Sequence, residues 1–490
     1  MICITVNPSS RKLAKVDLLN AARQCDMVEL CLDRFIKSPD IPDLLKVIDK
    51  PILISCRRPQ EGGHWDRGEE DRLKLLRTAI VAGPAYVELD LETAAQIPRY
   101  GQTKRVISYT NLEQPVSRIT PILERAAKVQ ADVVKFTWPV PTMETAWPLL
   151  GAVVKPRSLP VVGLGLGDAG ITFSLLGRKY GSPWLYAALE KGMEAYPSQP
   201  TVSELDDVFH WRQIDSDTRF LGIMGYEPSM APVVRALNRM FVESGHNLRC
   251  LPLADAQPEN MKKILELLNI RVVVASPRAG RSILAIASEH EESARLGRHA
   301  DLLVLRDNGW SAYNGLWRAV IMAMETLLMK HSASAAASQK PLDRRNVLVI
   351  GSEGLGESVI YGLKRRNALI SICNPDDKVA QQIAQKFQIR AVPHQNLYNT
   401  LADVVIFADF KLKLGEHTGR INPSFLRPTM YVADAAAQGL DSPIIQEARE
   451  RGCRVAEPLD VLAQQTALVF KTLTGRDAPP ERLREALAGT

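Results

Sequence analysis

The stretch RNVLVIGSEGLGESVIYGLKRRNALISICN, Arg345 to Asn374, decides how the second half of the chain is read. Val347–Ile350 is a short apolar run, and Gly351, Gly354 and Gly356 follow at once. A helical spacing of Val359, Ile360 and Leu363 comes next, then a second apolar strand over Leu369–Cys373. Strand, glycine turn, helix, strand is the opening unit of a dinucleotide-binding sheet, whose turn glycines let the backbone approach a pyrophosphate at the helix N-terminus. Here the spacing is G-x-x-G-x-G, and Glu353 stands where the close-approach glycine is expected. A carboxylate there repels phosphate. The stretch therefore predicts a Rossmann-type fold and leaves open whether that fold holds a nucleotide.

Around this unit, 490 residues leave room for two or three domains with full cores. An apolar content of 46% and a charged content of 24% belong to an ordinary globular protein. The net charge of +6 is scattered, with no basic block, so nucleic acid is not expected as a partner. Cys3, Cys25, Cys31, Cys56, Cys250, Cys373 and Cys453 form no C-x-x-C pair and read as reduced, buried thiols without a metal site. A strand begins at Ile2 with no signal-peptide layout, and no apolar run approaches ~18 residues. The expectation is a cytoplasmic chain with no membrane partner.

Before the glycine unit, short apolar strands alternate with helical patterns: Ile2–Val6, Val28–Leu32, Ile52–Cys56, Tyr86–Leu91, Arg105–Tyr109, Val133–Thr137, Val161–Leu164 and Trp184–Ala188. This repetition predicts a (β/α)8 barrel, with an open doubly wound sheet as the alternative. Chemistry in a barrel sits at the C-terminal ends of its strands. Those ends offer Glu29 and Asp33, Arg57 and Arg58, Glu88 and Asp90, Tyr109 and Thr110, and Lys135. Lys135 lies inside the strand ADVVKFTW, where burial lowers a lysine's pKa and frees its amine for imine formation with a ketone. The other reading is a lysine ion-paired with Glu29 or Glu88.

The motifs V-E-L-C-L-D, S-C-R-R-P-Q-E-G-G, V-I-S-Y, A-D-V-V-K and Y-P-S-Q, in that order over residues 1–203, resemble those of type I 3-dehydroquinate dehydratase. The resemblance implies a (β/α)8 barrel that forms a lysine imine with its substrate and eliminates water with a histidine as acid and base. By the same resemblance Lys135 is the Schiff-base lysine, and Glu29, Arg57, Glu61 and Gln199 line the substrate site. The family's S-Y-H reads Ser108-Tyr109-Thr110, the arginine of its E-x-R is Cys31, its late serine–arginine pair is Thr172-Phe173, and its closing-loop serine is Ala195. His64, in E-G-G-H, either substitutes for the missing histidine or simply faces solvent.

After a connector over residues 201–217, an α/β pattern over 218–330 and the glycine-turn unit over 340–490 flank a small-residue linker, His331–Gln339. Residues 218–480 resemble shikimate dehydrogenase, a substrate domain followed by a nucleotide domain whose last helices return to the first. Dehydratase barrel followed by dehydrogenase is a known tandem order. The resemblance implies Ser229, Asn314 and Gln465 as substrate contacts, and NADP held by Gly351, Gly354, Gly356 and Asn374. Yet the family's second serine falls at Ala231, its lysine at Ala279, its asparagine–threonine pair at Ala300-Asp301, and its aspartate at Leu316. Arg278 or Arg281 could supply a cation but is a poor proton carrier. The loop that receives the 2′-phosphate reads Asn374-Pro375-Asp376, which disfavours NADP. Asp376 or Asp377 either bonds the ribose hydroxyls of NAD or belongs to a solvated acidic turn.

The resulting expectation is an α/β chain, a barrel followed by a two-domain dehydrogenase-like unit. It is a divergent bifunctional shikimate-pathway protein whose acid–base groups are replaced, so that the family activities are weak or lost. The alternatives are a non-catalytic, metabolite-sensing homologue, such as quinate repressor-like proteins, and a changed Schiff-base chemistry at Lys135. The expected partner is a small molecule of the dehydroquinate or shikimate type, and a homodimer is compatible with the sequence.

Overall fold

In the computed structural model, eight parallel strands alternate with helices: β1 (Ile2–Val6), β2 (Met27–Cys31), β3 (Ile52–Ser55), β4 (Tyr86–Asp90), β5 (Lys104–Thr110), β6 (Val133–Pro139), β7 (Val161–Leu166) and β8 (Leu185–Ala187). They pair in the order β7-β6-β5-β4-β3-β2-β1-β8. The ends β7 and β8 also touch, which brings the sheet close to closing as a barrel. Residues 1–167, 169–331, 340–352, 354–415, 420–437 and 441–489 are described. Glu353 and residues 332–339 of the expected linker lie outside the described residues. The chain forms two compact units, Met1–Thr218 with Leu251–Asn260, and Arg219–Cys250 with Met261–Thr490.

Side chains alternate across a strand, so one residue in two points into the barrel. Cys3, Met27, Leu53, Val106, Val133 and Val162 pack there with Trp184 as an apolar floor. Two residues further along, six of these strands turn polar: Thr5, Glu29, Ser55, Glu88, Ser108 and Lys135. The floor excludes water from below, and the charged residues of the belt are buried above it.

The second unit contains two six-stranded sheets. The first combines β9 (Arg219–Met224), β10 (Leu248–Leu253), β11 (Val272–Ala275), β12 (Glu289–His290), β13 (Leu302–Arg306) and β14 (Gly309–Tyr313) in the order β10-β9-β11-β13-β14-β12. The second combines β15 (Asn346–Gly351), β16 (Leu369–Cys373), β17 (Arg390–Ala391), β18 (Val404–Ala408), β19 (Tyr431–Asp434) and β20 (Arg454–Val455). Its order, β17-β16-β15-β18-β19-β20 and parallel throughout, is that of a Rossmann sheet. The run Val347–Ile350 is apolar at every position because both faces of β15 are covered. Val347 and Val349 enter one core with the helix Leu316–Lys330, and Leu348 and Ile350 enter the other. No described helix is long and apolar enough to cross a membrane.

Candidate active site

Lys135 has no exposed surface, and its Nζ donates to Glu88 Oε2 on β4 at 2.8 Å. The ammonium also lies 4.6 Å from the centroid of the Tyr186 ring on β8. Of the two sequence readings, free amine or ion pair, the structure shows the ion pair. Burial works to lower Lys135, but Glu88, Tyr186 and Glu29 raise it well above the ordinary lysine value. The expectation of an amine freed by burial alone is corrected: a carboxylate in contact keeps the proton on nitrogen.

Glu29 accepts from Thr5 Oγ1 at 2.8 Å and lies 4.0 Å from Arg57 Nη2. Burial works to raise its carboxyl, yet Lys135 and Arg57 hold it at about 2. For Glu88, burial prevails over Lys135 and the carboxyl is raised. Arg57, two residues beyond β3, donates from Nη1 to Tyr196 Oη at 2.7 Å and from Nη2 to Cys31 Sγ at 2.9 Å. The thiol lies 3.2 Å from Ser55 Oγ, and burial pushes it well up, so it stays protonated. Tyr196 Oη donates in turn to the Glu61 carbonyl at 3.0 Å, and the tyrosine ring lies 5.3 Å from the guanidinium carbon.

The structure thus brings Lys135, Glu29 and Arg57 together with Glu88. Glu61 directs its carboxylate to Arg58, with Oε1 3.0 Å from Nη2. Gln199 accepts the Ala195 N–H at 2.9 Å through Oε1. His64 is half-exposed on the rim, its backbone N–H bonded to Asp33 Oδ2 at 2.7 Å and its ring 3.5 Å from the same oxygen. Thr110, where the resemblance expects a histidine, pairs in register with Thr137.

In the second unit Gln465 Nε2 donates to Asp301 Oδ2 at 3.0 Å, and Asp301 Oδ1 accepts the Gly315 N–H at 2.6 Å. Burial raises the Asp301 carboxyl and lowers the neighbouring His299, whose Nε2 lies 2.9 Å from the Pro277 carbonyl oxygen. Asn314 is buried, its amide donating to the His299 carbonyl at 2.9 Å and to Ser358 Oγ at 2.8 Å. Ser229, in the turn Pro228–Met230, has a buried hydroxyl with no hydrogen-bond partner among the described residues. Leu316 and Gln465 border a cleft of about 40 Å³ otherwise walled by Met230, Val274, Pro277 and Val461, with Thr466 as its one further polar side chain. Ala279 is buried in the short turn Pro277–Gly280. Arg278 is exposed and pairs with Glu227 at 3.0 Å.

At the glycine turn, Gly354 has φ +87°, a conformation that calls for glycine. Gly351 is required by close packing, since a Cβ there would lie 2.6 Å from the Ala408 carbonyl on β18. Gly356 is the second residue of the helix Leu355–Lys364. Glu357 Oε2 accepts the Gly354 N–H at 3.4 Å, and its Oε1 pairs with Lys386 at 2.8 Å. Asn374 donates to the Gly351 carbonyl at 2.7 Å and accepts the Asp376 N–H at 2.9 Å. Asp376 caps the helix Asp377–Phe387 through the Lys378 N–H at 2.9 Å.

Residues 2–216 match the type I 3-dehydroquinase family. That match spans the barrel. Over 224 residues the barrel is 28% identical to the 3-dehydroquinate dehydratase of Methanocaldococcus jannaschii, covering 44% of this chain and 99% of that protein. Over 486 residues the chain is 25% identical to the chloroplastic bifunctional 3-dehydroquinate dehydratase/shikimate dehydrogenase of Arabidopsis thaliana, covering 93% of this chain and 79% of that protein. The solved dehydroquinate dehydratase and shikimate dehydrogenase of S. pombe aligns with 99% of this chain and 98% of its own, at 17% identity and a TM-score of 0.46. By its sequence similarity to the Arabidopsis protein, the chain resembles a fused dehydratase–dehydrogenase with the barrel as its first half.

Two features of the barrel are not marked in the sequence. Tyr196 lies in the same Y-P-S-Q motif that drew attention to Gln199, and nothing in its residue type marks it as reaching Arg57. Tyr186 reads as an ordinary apolar strand position. In the second unit the sequence marks Asp301 only as a departure from a motif. A carboxylate two residues after a histidine at the start of an apolar strand was the available sign.

Proposed function

We propose that this chain is a divergent relative of the fused dehydratase–dehydrogenase proteins whose barrel retains imine formation at Lys135 and whose second unit has lost hydride-transfer chemistry. The buried Lys135–Glu88 pair is the observation that carries the reading. Glu88 is placed to take a proton from the ammonium, which frees the amine to attack a ketone carbon. A second nitrogen proton passes to the ketone oxygen as the carbinolamine forms, and the proton held by Glu88 joins it as water leaves. One ammonium and one ketone give one iminium and one water, with Glu88 regenerated. The dehydration characteristic of the family also needs a group to move a proton at carbon, and Thr110 cannot titrate near neutrality. Losing a positioned acid–base group slows such a step by about 10²–10⁴-fold.

In the second unit Ala279 and Leu316 replace the lysine and aspartate implied by the resemblance. Among the described residues, the small cleft beside Leu316 has no titratable lining, and the cleft of about 300 Å³ that holds Asn314 and Gln465 is lined by Asp301, Glu291 and Arg318 but by no lysine. The residues at the glycine turn do not fit NADP. Glu357 occupies the Gly354 N–H, Asn374 is bonded within the fold, and the exposed acid Asp376 stands where a 2′-phosphate needs a cation. A second reading, a metabolite-sensing protein, is favoured by one observation: Tyr196 covers Arg57 and helps to seal the barrel.

Incubation of the full chain with 3-dehydroquinate or dihydroxyacetone, then borohydride and peptide mapping, should place a reduced adduct on Lys135. No adduct at Lys135 with either ketone rejects the barrel half of the reading. NADPH with 3-dehydroshikimate should give no oxidation above background, and turnover within about tenfold of a typical enzyme rate rejects the other half.

A further inference from the structure

The interior of the barrel holds two cations, Lys135 and Arg57, and two carboxylates, Glu29 and Glu88, all buried. Lys135 is in contact with Glu88, and Arg57 faces Glu29 at 4.0 Å. The charges already balance. Both terminal nitrogens of Arg57 carry partners, Tyr196 Oη and Cys31 Sγ, so the forked grip by which arginine holds a carboxylate is taken. None of the other described polar residues of the belt, Thr5, Ser55 and Ser108, is a cation.

Several buried polar atoms of this unit have no hydrogen-bond partner among the described residues, Asp33 Oδ1 and Trp184 Nε1 among them, and four of the others are Arg57 Nε, Thr137 Oγ1, Tyr186 Oη and Gln199 Nε2. Buried polar groups are normally bonded, so these four call for an explanation. Thr137 stands two residues beyond Lys135 on the same face of β6, and the Tyr186 ring already touches the Lys135 ammonium. Two are N–H donors and two are hydroxyls that donate or accept. Together they suit a molecule carrying a carbonyl and hydroxyl groups.

We propose that Lys135 takes as its substrate class a small uncharged hydroxy-ketone or hydroxy-aldehyde rather than a keto acid. A carboxylate brought into this barrel would be a third anion against two cations and would lose its hydration without gaining a forked partner. A neutral carbonyl compound needs no countercharge, and its hydroxyls can meet the orphaned groups. The proposal rests on the imine reading above. The bond formed is C=N at Lys135 Nζ, and the oxygen lost leaves as water, with no oxidant or reductant required.

The test compares three ketones on the full chain under borohydride: dihydroxyacetone, pyruvate and 3-dehydroquinate. The first two are matched in carbon count and differ in charge. Peptide mapping of the wild-type chain reads the adduct at Lys135 directly, so no variant has to fold. Dihydroxyacetone should label Lys135 faster than either keto acid by about 100-fold or more. Equal or faster labelling by pyruvate or 3-dehydroquinate overturns the proposal and leaves the imine reading intact. Labelling of Lys135 by none of the three overturns both. As a second measurement, Thr137→Val should slow labelling by dihydroxyacetone by about fivefold or more without changing the already slow rate with pyruvate. An equal effect on both ketones would mean that Thr137 acts on Lys135 rather than on the ligand, and would count against the proposal.

Discussion

Replacing Lys135 by methionine leaves Glu88, 6% exposed, without the cation 2.8 Å away. Breaking one partner out of a buried pair costs about 3–5 kcal/mol, whereas replacing both partners is often close to neutral. Lys135→Met should therefore destabilise the barrel by that amount at neutral pH, and Glu88→Gln in the same background should recover most of it. The pH dependence has a definite sign. Glu88 is raised by burial even beside Lys135, and without the lysine its strongest opposing neighbour is gone and Arg57 alone still works to lower it. A carboxyl raised in the folded state stabilises below its unfolded value, 4.5, and that contribution is lost as pH rises through the folded value. The deficit of the single variant should accordingly be largest near neutrality and shrink in acid. Hydrogen exchange of peptides from β4 and β6, followed by mass spectrometry in increasing urea, isolates the barrel from the second unit. A single variant within about 1 kcal/mol of wild type near neutral pH, or a double variant no more stable than the single, refutes the reasoning.

Glu29 gives the opposite pH signature, because it is held at about 2 against a usual 4.5. Its stabilisation is present above 4.5 and lost as pH falls towards 2, so the advantage of wild type over Glu29→Gln should shrink by roughly 3 kcal/mol across that window; a constant difference would contradict it. Gly297→Ala would place a methyl 2.1 Å from Ser358 Oγ and 3.2 Å from the Gly354 carbonyl. The expected loss is about 1–3 kcal/mol, with Ser358→Ala recovering part of it, and additive effects in thermal unfolding would argue against the clash. Installing Ala279→Lys with Leu316→Asp restores the residue types of the resemblance beside a small apolar cleft. Urea unfolding should show a loss of several kcal/mol with no gain of dehydrogenase turnover, and a stable, active double variant would refute the account of the second unit.

The alternation of strand and helix made the barrel and the start of the glycine-turn sheet legible in the sequence, because apolar runs such as Val347–Ile350 are covered on both faces and have no amphipathic pattern to confuse them. Lys135 was legible too, since a charge inside an apolar strand has few other readings. Its charge state was not. That depends on Glu88, 47 positions away in sequence, reaching within 2.8 Å, and no local pattern reports a distance across a barrel. Tyr196 was invisible for the same reason: its partner Arg57 is 139 positions distant. The glycines at 351, 354 and 356 carried an ambiguity that only packing reveals, because a glycine needed for strand contact looks the same as one needed for phosphate.

The burial of Lys135 also governs access. Tyr196 Oη joins Arg57 to the Glu61 carbonyl, and the lysine has no accessible surface, so a molecule reaches Lys135 only after part of the surrounding wall has moved. Entry then requires that movement as well as a collision, and the chemistry of the ketone still decides how fast it is captured once inside. Departure is throttled by the same movement, so whatever enters stays for many times longer than its contacts would otherwise hold it.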